Sequence, residues 1–211
     1  MNDASLFPQS VAPLEYEREL WNTGIRHVAG VDEAGRGALA GPVVAAAIIA
    51  NNSCVPLLYE VKDSKKLSAE KRNTLLPRIL ELVTAVGVGI VSVDEIDRIN
   101  ILQASLLAMK KAVDALCVRP ELCLIDGNMK APIEIAQRTI IKGDDRIFSI
   151  AAASIVAKVT RDRLMSELSV SFPQYGFGDH KGYGTESHLS AIREFGPSSH
   201  HRMSFHLPKG P

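Results

Sequence analysis

The sequence predicts an α/β domain built on a mixed sheet flanked by helices, with a helical C-terminal appendage. Two observations lead there. Strand-like segments first follow one another directly and then alternate with helical ones, an order that combines antiparallel and parallel pairing in one sheet. The 211 residues, 46% hydrophobic and 23% charged, suffice for one well-buried domain and not for two full-sized ones.

Residues 1–14, with Pro8, Pro13, Ser5 and Ser10 and no apolar period, are expected to be a flexible tail. A short helix follows from Leu14 to Trp21. His27–Asp32 reads as a strand, and the nearly continuous apolar run Pro42–Ala50 as a second strand buried on both faces. Gly35, Gly37 and Gly41 mark a tight connection between them. Ser68 opens a helix with Lys71 and Arg72 outward and Leu75, Leu76, Ile79, Leu80 and Val83 inward, which Pro77 threatens to interrupt. Ala85–Val93 is a third strand. Asp94 is expected to cap a long amphipathic helix to Leu116, whose Ala104, Ser105, Ala108 and Ala112 allow close packing. Glu121–Gly127 and Arg138–Lys142 read as the fourth and fifth strands, Ile147–Ser169 as a small-residue helix. Beyond about residue 170, glycine-punctuated loops alternate with a helix near Ser187–Phe195.

The 24 basic and 24 acidic side chains cancel, so composition alone does not announce a nucleic-acid binder. The 3 cysteines, Cys54, Cys117 and Cys123, have no paired metal spacing and read as reduced thiols. No segment has the apolar length of a membrane span or the pattern of a secretory signal, so a cytoplasmic location without membrane attachment is expected.

Carboxylates recur where strands end: Asp32-Glu33 after the first, Asp126 after the fourth, Asp144-Asp145 after the fifth. Ligands of open α/β sheets collect beyond strand ends, so these acids can converge. Close carboxylates repel and raise one another's pKa, and a divalent cation removes that cost. An oxygen-only ligand set favours Mg²⁺ or Mn²⁺ over Zn²⁺. Between the first two strands, glycines at 35, 37 and 41 surround Arg36, letting backbone approach a ligand and offer N–H donors to phosphate or ribose oxygens. The spacing is neither that of a dinucleotide fingerprint nor that of a P-loop.

Gly30-Val31-Asp32-Glu33-Ala34-Gly35-Arg36-Gly37, Gly41-Pro42-Val43, Asp63-Ser64-Lys65-Lys66-Leu67, Leu124-Ile125-Asp126-Gly127, Lys142-Gly143-Asp144, the run Ala152–Asp162 and Lys181-Gly182-Tyr183-Gly184-Thr185 follow one another in order. Together they resemble ribonuclease HII, the bacterial type 2 ribonuclease H, from about residue 27 to about 206. The resemblance implies a ribonuclease H-like fold, with 15–211 as one catalytic domain. It further implies hydrolysis of the RNA strand of RNA–DNA hybrids and incision at single ribonucleotides in duplex DNA, leaving 5′-phosphate and 3′-hydroxyl ends. The family's metal-site acids carry over to Asp32, Glu33, Asp126 and Asp144; Asp144 is chosen over Asp145 because the family ligand directly follows Lys-Gly. Gly35, Arg36 and Gly37 match its reader of the ribonucleotide 2′-hydroxyl, and Tyr183 its junction-stacking tyrosine. Arg36 and the short N-terminus argue against the related ribonuclease HIII branch. A monomer acting on hybrid or ribonucleotide-containing duplex is expected, with two Mg²⁺ or Mn²⁺ ions.

Other candidates receive weaker roles. Ser64, Lys65 and Lys66 precede a helix and can hold phosphate. Lys158, Arg161 and Arg163 are expected on the exposed face of their helix near the nucleic acid. The C-terminal histidines, irregularly spaced, read as surface or supporting residues rather than as a zinc site. Ser154 and Thr160 lack a nucleophile's elbow and read as buried hydroxyls, and Trp21 and Phe148 as core. Two competitors remain from other classes: a non-catalytic hybrid-binding module, which loss of an acid would have favoured, and a metal-dependent DNA nuclease, which needs no 2′-hydroxyl reader.

Overall fold

The computed structural model describes residues 14–209. The expected tail, residues 1–14, lies outside the described residues except for Leu14, which is fully buried. The strands β1 (Val28–Ala34), β2 (Val43–Ile49), β3 (Ala85–Val91), β4 (Leu122–Asp126) and β5 (Ala136–Ile140) form one sheet in the order β3-β2-β1-β4-β5. β2 is antiparallel to both β1 and β3, whereas β4 runs parallel to β1 and to β5. The short glycine-rich link from β1 to β2 permits only an antiparallel return, and the helix α3 (Val93–Asp114) provides the long crossover before β4.

Every residue of β2 is buried, as its apolar run requires. Ala46 and Ile48 pack toward α2 (Ala69–Leu82) and α4 (Phe148–Ser171), while Val43, Ala45, Ala47 and Ile49 pack toward α3. α4 lies so close to β1 that a Cβ on Gly30 would stand 2.3 Å from the carbonyl carbon of Ser149. Only glycine allows this approach, which brings the start of α4 beside the acidic end of β1. Phe148 is fully buried there and Trp21, on α1 (Glu15–Asn22), is partly buried against the same core.

Several expected boundaries move. Ser92, not Asp94, caps α3: its side chain accepts from Glu95 N, so β3 ends at Val91 rather than Val93. α3 is broken at Asn100, whose φ is 66°, and the Asn100 side chain accepts from Gln103 N to cap the second half. Pro77 does not interrupt α2, but Leu80, expected inward, is 47% exposed. β5 lies two positions earlier than expected because Lys142, at φ 55°, has already turned the chain into the single helical turn Gly143–Asp145.

The C-terminal region contributes a short helix, α5 (Phe177–His180), and α6 (Glu186–Phe195). Tyr175, Phe177 and Ala191 pack with Met165 of α4 and with Ala40 of the β1–β2 connection, so this region seats directly on the glycine-rich loop. Cys54 and Cys123 are buried and Cys117 is exposed, all unpaired. Among the described residues no helix is long and apolar enough to cross a membrane.

Candidate active site at the strand ends

Val31 pairs with Ile125 at the end of the parallel β1–β4 ladder, which sets Asp32 and Asp126 side by side just beyond it. Gly143 N donates to Asp126 Oδ1 at 2.7 Å and holds the following turn against β4. Asp144 in that turn completes the group: one carboxylate oxygen from each of Asp32, Asp126 and Asp144 lies within 4.8 Å of the others. Asp32 is 4% and Asp144 8% exposed. Burial, reinforced by Glu33, Asp126 and Asp144, holds the Asp32 carboxyl well above the usual range. Burial and then Asp126 push Asp144 up to about 6. Lys65 Nζ, 4.0 Å from Asp144 Oδ2, supplies partial compensation. Although burial opposes its charge, Asp63, Asp32, Asp144 and Asp126 together raise the Lys65 pKa. A converging, oxygen-only, under-neutralised set suits a hard divalent cation.

Glu33 stands beside this trio on the other face of β1, as strand alternation dictates. Its Oε1 lies 3.8 Å from Arg36 Nη1, and burial raises its pKa against the opposing charges of Arg36 and Lys65. Asp145 is directed elsewhere, its Oδ1 accepting from Lys66 Nζ. Lys65 reaches the carboxylates, but Ser64 does not turn outward: its hydroxyl bonds that of Ser154 at 2.7 Å within the core. The Ser64–Lys66 turn is held by Asp63, which accepts from Lys65 N, and by Arg72, which donates to the carbonyls of Ser64 and Leu67. Arg72, expected outward, therefore faces inward.

β1 runs from Asp32 straight into the Gly35–Gly37 loop, where Arg36 and Gly37 are exposed and a Cβ on Gly37 would meet open space. The loop's carbonyls point inward. Arg202, 0% exposed, donates to the carbonyls of Gly35, Arg36, Gly41 and Pro42. Arg161, also 0% exposed, donates to those of Ala40, Pro42 and Lys181. The expectation that Arg161 lies on an exposed face is thus corrected. It is buried because these carbonyls supply the hydrogen bonds its guanidinium needs. Arg163 is exposed, and Lys158 pairs with Asp162 at 2.6 Å. Tyr183 is 37% exposed, with Arg161 Cζ 5.4 Å from its ring centroid.

Sequence reasoning missed the scaffold under this loop: Arg161, Arg202, and the buried histidines His188 and His201. For Arg161 a signal existed. It continues at four-residue spacing the small or apolar stripe of Ala153, Ala157 and Met165, so the helical period already placed it inward. For His188 a signal also existed, since it shares the buried face of α6 with Ala191 and Ile192 at three- and four-residue spacing. His201 and Arg202 lie outside any helix or strand, and the carbonyls that bury the Arg202 side chain are distant in sequence.

The family model for Ribonuclease HII matches residues 29–207. A ribonuclease HII of Geotalea uraniireducens is 54% identical over 207 residues, covering 97% of this chain and 95% of that protein. A ribonuclease HII of Syntrophotalea carbinolica is 47% identical, covering 95% of each. Among solved structures, the ribonuclease H2 of Pyrococcus horikoshii OT3 superposes with a TM-score of 0.70 at 26% identity, over 84% of this chain and 93% of that one. The RNase HII of Archaeoglobus fulgidus, solved as a PCNA:RNase HII complex, superposes with a TM-score of 0.65 at 26% identity, over 88% of this chain and 98% of that one. With the fold, the acidic strand ends and a match spanning nearly the whole chain in agreement, the chain belongs to the ribonuclease HII family.

Proposed function

We propose that this endonuclease, which hydrolyses the RNA strand of RNA–DNA hybrids, also incises at single ribonucleotides in duplex DNA, and that Asp32, Glu33, Asp126 and Asp144 hold the divalent cations, Mg²⁺ or Mn²⁺, on which it depends. The observation that carries the assignment is the convergence of Asp32, Asp126 and Asp144 within 4.8 Å with too little positive charge to balance them. Asp32, buried with Asp126, Asp144 and Glu33 around it, would be the central residue holding the cations. Asp126 and Asp144 flank it on one side and Glu33 on the other. When bound, a cation pair activates the attacking water and neutralises the leaving oxygen. The bond broken is that between phosphorus and the 3′-oxygen, which leaves as a hydroxyl while the phosphate stays on the 5′ end.

The chain's own residues then orient the substrate. Lys65, 80% exposed and adjacent to the acids, meets the phosphate. The Gly35–Gly37 backbone, with the Gly35 and Arg36 carbonyls turned inward to Arg202, offers its outer edge to the 2′-hydroxyl, the group that distinguishes a ribonucleotide at a given site. The space at Gly37 is where a sugar fits without meeting a Cβ. Tyr183, its ring set against Arg161, stacks beyond the junction. Cleavage of three matched duplexes in Mg²⁺ tests the reading: a continuous hybrid and a DNA duplex with one ribonucleotide are cut, and the all-DNA duplex is not. Equal cutting of the last two would overturn it.

A further inference from the structure

Beneath Tyr183 two imidazoles form a hydrogen-bonded chain that the cleavage chemistry does not use. His188 and His201 are 0% and 1% exposed, and their Nε2 atoms lie 3.0 Å apart. Their outer partners fix the tautomers. Ser198 N donates to His201 Nδ1 at 2.9 Å, so that nitrogen carries no proton and a neutral His201 carries it on Nε2. His201 Nε2 therefore donates to His188 Nε2. His188 keeps its proton on Nδ1 and donates to the Tyr183 carbonyl at 2.9 Å. The chain runs one way, from Ser198 through both rings to Tyr183, and it is complete only when both rings are neutral. Burial keeps them so, lowering the His188 pKa and bringing that of His201 down to about 4. The ionisable groups facing the pair are His180, stacked on His188 at 4.4 Å between centroids, Tyr175, 4.9 Å from His201, and the neighbouring His200.

The two ends of this chain belong to the two halves of the substrate reader. His201 bridges to Ala40, and Arg202 N donates to the Leu39 carbonyl at 2.8 Å while the Arg202 side chain holds the carbonyls of Gly35 and Arg36. His188 holds the carbonyl of Tyr183 itself. We propose that the His188–His201 pair is a positioning device that fixes Tyr183 relative to the Gly35–Gly37 loop, and thereby sets the preference for a lone ribonucleotide over a continuous RNA–DNA hybrid. A single embedded ribonucleotide presents one 2′-hydroxyl and hence one register, so a displaced reader loses it. A continuous hybrid presents a 2′-hydroxyl at every nucleotide and tolerates the displacement. The inference rests on the roles proposed above for Tyr183 and the loop.

The test compares His201→Phe, which removes the donor to His188, with His201→Gln, whose amide retains one. For each, kcat/KM is measured on the single-ribonucleotide duplex and on the continuous hybrid, with Mg²⁺ binding followed by calorimetry. His201→Phe should lower the ratio of the two kcat/KM values about tenfold, a loss of the size expected for a misplaced stacking group, and His201→Gln should restore most of it. Mg²⁺ binding should not change. Equal losses on both substrates would show a merely structural role and overturn the inference, as would an unchanged ratio. Should His201→Phe fail to fold, ¹⁵N NMR of the wild-type imidazoles decides: protons on His201 Nε2 and His188 Nδ1 support the pair, and any other tautomers overturn it. A wild-type protein that also cuts all-DNA duplex would overturn the underlying reading together with the inference, whereas a selective wild type with equally selective variants overturns the inference alone.

Discussion

Gly143 N donates to Asp126 Oδ1 at 2.7 Å, so the turn that carries Asp144 is tied directly to the carboxylate at the end of β4. The two acids of that turn consequently diverge. Asp144 joins the carboxylate trio while Asp145 pairs with Lys66. Asp144→Asn should therefore lower kcat for hybrid cleavage by roughly a hundredfold or more, and Asp145→Asn by only a fewfold, because its surface ion pair contributes little. Steady-state cleavage at saturating Mg²⁺ checks the ranking; a reversal would move the ligand by one position.

Asp32 is buried among like charges, and Asn retains the oxygen that accepts from Glu33 N at 2.7 Å. In metal-free protein Asp32→Asn should raise the unfolding free energy by ~1 kcal/mol or more at pH 7, since it removes a carboxyl whose raised pKa makes it costly in the folded state, without removing a hydrogen bond. Denaturant melts in the presence of EDTA measure this. A lower midpoint would mean that the site is better neutralised than its geometry indicates.

Arg202 spans four loop carbonyls with no acidic partner in hydrogen-bond contact among the described residues, and burial brings its pKa down to about 9. Lysine cannot reproduce its planar fork. Arg202→Lys should cost ~2–4 kcal/mol of stability, because buried carbonyls lose their donors. Chemical denaturation of the variant against wild type tests this, and a loss below ~0.5 kcal/mol would contradict it.

The buried histidine pair makes stability depend on pH. The folded pKa of His201 is depressed to about 4 from an ordinary 6.5, so the unfolded chain binds its proton first. The contribution is fully present above pH 6.5 and is lost as pH falls toward about 4, by ~3 kcal/mol in all. His188, also lowered, adds in the same direction. His201→Gln should flatten the melting curve's pH dependence over this window; an unchanged slope would rule the pair out as its source.

What could be read from the chain follows the range of the interactions. β2 and the small-residue face of α4 announce themselves through local apolar patterns, and the acids through their position after strands. The displaced boundaries were decided by single side chains: Ser92 competes with Asp94 for the same helix start, and Lys142 ends β5 by adopting a left-handed φ. Of the support beneath the glycine-rich loop, Arg161 and His188 were legible from the period of their helices, whereas Arg202 and His201, outside any helix, were not, because an isolated arginine or histidine ordinarily reads as solvent-facing. Arg202 is buried by carbonyls about 160 positions away, and only the folded chain brings them together.

In the proposed mechanism the trio of carboxylates drives cleavage through charge. Asp126→Asn isolates it, since an asparagine oxygen can still accept from Gly143 N and keep the turn in place while the charge is gone. The most direct measurement is the single-turnover rate of RNA-strand cleavage in an RNA–DNA hybrid at saturating Mg²⁺. Asp126→Asn, with a wild-type circular dichroism spectrum, should cut roughly a hundredfold or more slowly than wild type. A wild-type rate in that variant would contradict the mechanism.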